Sequence, residues 1–206
     1  MQLTTIALPF LLLVSTSTLI TPQTAPPVAP APAVATQGGS FTIDDVHSCS
    51  LFRVHHSRAG QFWGRFNTIS GTFTLSPDTT KMAFDVTIAV ESVDTGNERL
   101  DGHLKSPDFF NAKEFPSMTF KSTGCAKNAD ETFALTGDLT IHGVTKSVTA
   151  TIEVTGWGFD GGRGARAGAE ARFKIKRSEF GMSYGTDTGA LGDETAIIIG
   201  LEGTAA

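Results

Sequence analysis

Asp101 and His103, together with Ser48 or Ser106, are the residue types of a hydrolytic triad. In such a triad a carboxylate orients an imidazole that takes the proton of a hydroxyl nucleophile. The setting argues against it, because there is no Gly-x-Ser-x-Gly elbow and no strand–turn–helix pattern to expose a nucleophile. The five histidines, His47, His55, His56, His103 and His142, invite a metal or acid–base reading. His55 and His56 are adjacent on a strand pattern, so they point to opposite faces and do not chelate one ion together. Cys49 and Cys125 lie far apart and lack the Cys-x-x-Cys spacing of a zinc site. They read either as one disulfide, in an oxidising compartment, or as two small apolar residues. The glycine-rich Gly156–Gly168 stretch lacks the lysine and the following helix of a phosphate loop. These residues therefore suggest no catalytic group, no metal ligand and no cofactor.

The stretch that stands out is Asp101–Phe120. Phe109, Phe110, Phe115 and Phe120 fall within twelve residues of what is otherwise a connection between strands. Connections normally run over the surface and are polar, so an aromatic-rich one must plug something or line something. Leu100, His103, Leu104 and Phe109–Phe110 give it a short, partly helical apolar pattern. Ser106-Pro107 reads as a turn, since the residue before proline is pushed out of the helical region. Arg99 and Asp101 are expected to form an ion pair that fixes this insertion.

On either side of it, apolar residues recur with period two. Phe41 and Ile43 open the pattern, followed by Ser50, Phe52, Val54 and His56 alternating with Leu51, Arg53 and His55. Arg65–Leu75 predicts one long strand with Ile69, Gly71, Phe73 and Leu75 on one side. Phe62 and Phe66 have the other parity, which predicts a bulge or bend near Asn67. Gly64 and Gly71 sit where barrel curvature is expected. Met82, Phe84, Val86, Ile88 and Val90 alternate most clearly, with Asp85 and Glu91 on the opposite face. Strands resume with Met118 and Phe120, then with Leu135, Leu139 and Ile141, and after a tight His142-Gly143 turn with Val148, Ala150, Ile152 and Val154. Gly156–Gly168 is expected as a mobile hairpin loop or bend. Ala169, Ala171, Phe173 and Ile175 form another strand, Arg177–Gly181 a single helical turn or tight loop, and Ala196–Leu201 the last strand. About eight antiparallel strands, each with one apolar face, are best satisfied by closure into a barrel, which also removes exposed edges. A barrel of that size either fills with side chains or holds one small ligand. A sandwich is the rival, without a Cys-Trp-Cys signature to support an immunoglobulin type.

The net charge of −5 argues against nucleic acid or an anionic membrane surface as partner, since both want basic patches. The sequence allows a homodimer and peripheral membrane contact or none. Residues 1–43 carry no charged side chain. An apolar run from Ile6 to Val14, extended loosely to Ile20, is too short for a comfortable transmembrane helix and fits a secretory signal, although no Lys or Arg precedes it. Residues 1–20 are thus expected to be a signal peptide or an N-terminal anchor. Residues 21–40, rich in Pro and Ala, are expected to be a disordered linker, and residues 41–206 the folded domain.

That domain resembles the YceI-like family of lipid-binding, lipocalin-like β-barrels. The resemblance rests on local motifs in order: Ile43-Asp44 with His47-Ser48, then Phe52-x-Val54-x-His56, Gly64-Arg65-Phe66 and Gly71-Thr72-Phe73. Ser92–Asn97 follows, with Arg99-x-Asp101-x-His103-Leu104-x-Ser106-x-Asp108-Phe109-Phe110. Phe115–Ser122, Gly137–Lys146, Arg177-x-Glu179-Phe180-Gly181 and Leu191-Gly192-Asp193 complete it. No single motif decides the matter; over about 160 residues the set is specific. The glycine-rich segment Gly161–Gly168 and the two cysteines are not part of the pattern.

The resemblance implies an all-β fold, an antiparallel eight-stranded lipocalin-like barrel with a short helical, Phe-rich insertion, lying in the periplasm or secreted. It implies a non-enzymatic role, the sequestration or transport of a long-chain isoprenoid or other amphiphilic lipid in the barrel cavity. The expected lining comes from the inward faces: Phe52 and Val54, Phe73, Phe84, Val86 and Ile88, then Phe120, Leu139, Ile141 and Phe173. Phe109, Phe110 and Phe115 are expected as a cap or one wall, and His47 and His103 as the polar residues that meet the head group. Two other functions remain open at this point: a lipid-modifying enzyme using a cavity His–Asp pair, and a filled barrel that docks to another protein.

Overall fold

The computed structural model describes residues 38–159 and 164–206. The expected signal or anchor, and nearly all of the expected linker, lie outside the described residues. Eleven strands follow in chain order: β1 (Gly39–Ile43), β2 (Cys49–His56), β3 (Gly60–Phe66), β4 (Ile69–Leu75), β5 (Ala83–Ala89), β6 (Val93–Asp94), β7 (Ser117–Lys127), β8 (Phe133–Ile141), β9 (Val144–Phe159), β10 (Ala165–Lys176) and β11 (Leu191–Ala205). One helix, α1 (Glu98–Leu104), sits between β6 and β7. All pairings are antiparallel. The ring β1-β4-β5-β7-β8-β9-β10-β11 closes on itself through β1 and β11, giving an eight-stranded barrel.

β2, β3 and β6 do not add staves; they prolong three of them. β11 pairs with β2 over Leu191–Gly200 and with β1 over Gly203–Ala205. In the same way β2 continues β1, β3 continues β4, and β6 continues β5. Each of these staves breaks at one level, at residues 44–48, at Asn67-Thr68 and at Val90–Ser92. The expected bend near Asn67 is therefore a full interruption, with partners on the neighbouring break: Asn67 N donates to Ser92 O (3.1 Å) and Thr68 N to Ser92 Oγ (3.0 Å). The parity change noted in the sequence follows from it, because Phe62 and Phe66 turn inward before the break, and Ile69, Phe73 and Leu75 after it.

Below the breaks the barrel is filled. Phe73 stacks between Phe41 and Phe84, with ring centroids 5.3 Å and 5.7 Å away. Leu75, Leu135 and Ile152 are each no more than 1% exposed. Trp157 meets Phe41 edge-on at 5.5 Å. The segment expected as a Gly156–Gly168 loop is mostly strand. Gly156, Trp157, Gly158 and Phe159 pair with Gly168, Ala167, Arg166 and Ala165, and a register shift leaves Thr155 as the extra residue; only residues 160–163 of it lie outside the described residues. The last strand is likewise longer than expected, running from Leu191 to Ala205.

Gly64 and Gly71 both sit at close approaches. A Cβ on Gly64 would lie 2.3 Å from the Phe52 ring opposite it. Gly71 has φ +126°, and a Cβ there would lie 2.0 Å from Asp85 O. Gly71→Ala combines an unfavourable backbone region with a clash against the next strand. It is expected to lower stability by roughly 3 kcal/mol, read as a lower urea midpoint at unchanged slope.

Candidate functional site

The pairings place the hairpin at His56–Gly60, the His142-Gly143 turn, the 95–116 connection and residues 177–191 at one end of the barrel. Asn97 caps α1 by accepting from Leu100 N (3.1 Å). Asp101 does not pair with Arg99 as expected. Its carboxylate accepts from Thr95 N (2.8 Å) and Thr95 Oγ1 (2.7 Å), tying the helix to the strand end before it. The chain then folds back onto the end of α1, with Phe110 N donating to Leu104 O and Ala112 N to Lys105 O, each at 3.0 Å.

Facing this insertion is a second segment held by one buried cation. Arg177, 6% exposed, opens a single helical turn (Arg177–Phe180) ended by Gly181 in the left-handed conformation. Its Nε donates to Gly192 O (2.8 Å), one terminal nitrogen to Met182 O (2.9 Å) and the other to Tyr184 O (2.7 Å). Burial pulls its pKa down, opposed by the nearby Asp193 carboxylate. Asp193 is itself bound by Ser178 N and Ser178 Oγ, at 2.9 Å and 2.8 Å. Backbone carbonyls thus solvate a charge that would otherwise be very costly inside the protein.

Between the two segments and the barrel wall lies a cavity of about 610 Å³, within the usual range for small-molecule sites. Phe52 and Val54 of β2, Leu139 and Ile141 of β8, and Phe173 of β10 line it, as expected from strand parity. Ile88 lines both this cavity and a narrower void of about 50 Å³ next to it. Phe84, Val86 and Phe120 border that narrower space only. Phe109 and Phe110 form part of the rim together with Leu100 and Leu104. Phe110 meets Phe66 edge-on at 5.2 Å.

Three expected site residues are elsewhere. Phe73, 1% exposed, borders neither space, because it is locked in the stack with Phe41 and Phe84. Phe115 lies on the outside of the barrel end, against His142 at 4.7 Å, and fastens the insertion to the β8–β9 turn. His47 is exposed at the bend between β1 and β2, 2.9 Å from Asp44. It borders an outer cleft with Thr155 and Glu202 and does not line the cavity. His103 does line it. Its Nε2 is 3.1 Å from Asp108 Oδ2, and its ring meets Phe109 and Tyr184 edge-on at 5.0 Å and 5.1 Å. Tyr184 also contacts Phe109 (5.2 Å), so these three rings bridge the two segments across the mouth.

Strand parity also reaches lining residues not singled out from the sequence, including Ser50, His56, Ile175 and Ile197. Tyr184 and Met182 carried no such signal, since the segment that holds them has no period. Cys49 and Cys125 are free thiols. Cys125 lies 3.7 Å from Met82 Sδ, and burial pushes its pKa up. Among the described residues, Asp44, His47 and Glu202 bring ligand-type atoms within 4.8 Å of one another. Arg166 already occupies that cluster, 2.8 Å from Asp44 Oδ2 and 2.5 Å from Glu202 Oε1, so a cation is supplied by the chain. The arrangement as a whole is an apolar chamber that opens at one end through a polar and aromatic rim.

The profile of the YceI-like domain matches residues 41–203. The chain is similar to Protein YceI of Escherichia coli O157:H7, at 41% identity over 160 residues that cover 76% of this chain and 81% of that protein. Among solved structures, Burkholderia cenocepacia BcnA superposes with a TM-score of 0.70 at 27% identity, covering 79% of this chain and 99% of the other. The Campylobacter jejuni YCEI protein gives 0.66 at 33% identity, covering 74% and 90%. A Saccharophagus degradans domain described as polyisoprenoid-binding shares the fold at 16% identity and a TM-score of 0.62, covering 81% and 98%.

Two measurements probe this construction. Arg177→Met should leave the carbonyls of Met182, Tyr184 and Gly192 without their donor. The expected loss is roughly 2–4 kcal/mol, with faster amide exchange confined to residues 181–192. Asp44 is held down to a pKa of about 2, first by Arg166 and next by His47. A depressed carboxylate contributes stability above its unfolded pKa and loses it as pH falls towards the folded value. Stability should therefore drop between about pH 4 and pH 2, and Asp44→Asn should flatten that part of the pH profile.

Proposed function

The chain belongs to the YceI-like family, and on that premise we propose that it is a binding protein rather than an enzyme, one that takes up a long-chain amphiphile in the barrel. The observation that carries this reading is the apolar chamber of about 610 Å³ at the open end. Each methylene buried there contributes about 0.8 kcal/mol, so a long chain gains affinity without any specific contact. The apolar tail lies among Phe52, Val54, Leu139, Ile141 and Phe173. The insertion that carries Phe109 and Phe110 covers it. His103, Gln61 and Tyr184 at the rim supply the polar contacts. An isoprenoid fits this description, and one neighbour of the same fold is described as a polyisoprenoid-binding domain. Sequestration or transport of such a lipid, in the periplasm or after secretion, agrees with the uncharged, partly apolar first 43 residues.

The reading as a lipid-modifying enzyme has weaker support. Two imidazoles line the cavity: among the described residues His56 has no carboxylate partner, and His103 is engaged by Asp108, whose side chain is 55% exposed. A catalytic orienting carboxylate is normally sheltered.

The test is native mass spectrometry on protein purified from its own host, followed by organic extraction. A long-chain species bound at near one per chain is the expected result and identifies the lipid. A bare mass, with no uptake of an added isoprenoid lipid, overturns the proposal.

A further inference from the structure

The cavity has one wall unlike the others. Ser50 on β2 is 4% exposed and Thr195 on β11 is 9% exposed, and both line the chamber. No group of the described residues hydrogen-bonds either hydroxyl. A neighbouring serine shows what a satisfied one looks like here: Ser48 Oγ donates to Glu202 O and accepts from Glu202 N. Thr195 faces Val54 across the ladder and Ser50 faces Ile199. Four residues of strand separate the two levels, or about 14 Å. Thr195 is thus near the rim, where water reaches, and Ser50 is deep. Around Ser50 the ladder partners are Phe66 and Ile199, and the next inward residues are Phe52 and Ile197, none of which offers a polar side chain. Neither hydroxyl oxygen is sealed inside the protein; each faces the cavity, where a hydroxyl stripped of water and left without a partner is unfavourable, and an apolar residue of similar size would avoid the cost.

We propose, resting on the reading of the chamber as a ligand site, that the ligand carries an uncharged oxygen function, a hydroxyl or a carbonyl, in the portion that lies deep in the barrel, and that Ser50 recognises it. A serine hydroxyl both donates and accepts, so it serves either function. A carboxylate or phosphate is excluded at that depth, because among the described residues no cation faces it and an unpaired buried anion is prohibitive. Arg177 does not serve it, being engaged by the carbonyls of its own segment. The ligand is therefore not recognised at the mouth alone.

The experiment is a competition for the purified full chain among long-chain ketones that differ only in where the carbonyl sits, with the unsubstituted hydrocarbon chain as reference. One carbonyl position should bind tightest in the wild type, by about tenfold. In Ser50→Ala that preference should disappear while the reference chain binds as before; in Ser50→Thr, which keeps the hydroxyl, it should persist. No positional preference in the wild type, or one that survives Ser50→Ala, overturns the proposal and leaves the hydroxyl served by water. Failure of every chain to bind, the reference included, overturns the ligand-site reading itself.

Discussion

Strict alternation ties the two ends of a β-barrel together, since a stave that points large side chains inward at one end goes on doing so to the other. This barrel escapes that constraint by breaking three adjacent staves at one level, at residues 44–48, Asn67-Thr68 and Val90–Ser92. Below the level, odd-numbered inward residues such as Phe41 and Phe73 meet in a solid stack. Above it the phase is reset, and Ser50, Phe52 and Val54 turn in around empty space. The breaks are mutually satisfied, with Ser92 accepting from Asn67 and Thr68, and Ser48 bonding both backbone groups of Glu202. A filled half and a hollow half thus coexist in one ring of strands, and the question of whether the core is dry or open has a different answer in each.

The open end depends on charge used in an unusual way. Arg177 is buried and is neutralised mainly by backbone dipoles, with Asp193 close enough to act through the field but bonded to Ser178. The guanidinium fork suits this, because its donors diverge in one plane and reach carbonyls from Met182, Tyr184 and Gly192 at once. The segment so organised contributes Tyr184, whose ring contacts with His103 and Phe109 join it to the insertion at the mouth. The barrel end is therefore built from two regions that are each internally hydrogen-bonded and meet through ring faces and edges.

Much of this was legible in the sequence. Period-two runs located most of the strands, although they merge the end of β3 with β4 and miss the paired ends of β9 and β10; the even parity of Phe52 and Val54 and the odd parity of Leu139, Ile141 and Phe173 match the faces that the cavity takes. Parity says which face a residue takes and not how far along the barrel it lies, so Phe73 shared the right face with Phe84 and yet fell in the packed half. Phe115 and His47 were drawn to the site by their motifs. Motif order carries no distance, and the structure uses the first to clamp a turn and the second to flank an ion-pair cluster. The expected Arg99–Asp101 pair rests on proximity in sequence alone; a two-residue spacing on a helix separates side chains, and Thr95 holds the carboxylate instead. Ser50 was visible as an inward residue, but its lack of a partner is a property of the whole fold.

Phe41 faces Ala205 across the seam that closes the ring, so nearly the first and the last described residues must meet before the barrel exists. β11 alone touches β10 on one side and both β1 and β2 on the other. A nascent chain lacking that final strand has two bare sheet edges and no chamber. Folding of such a topology is slow, because the seam joins the most distant parts of the chain and its loop-closure entropy is met late. Until β11 has been synthesised, the barrel exists only as an unclosed sheet, and its lifetime in that form sets how long its edges are available to other chains.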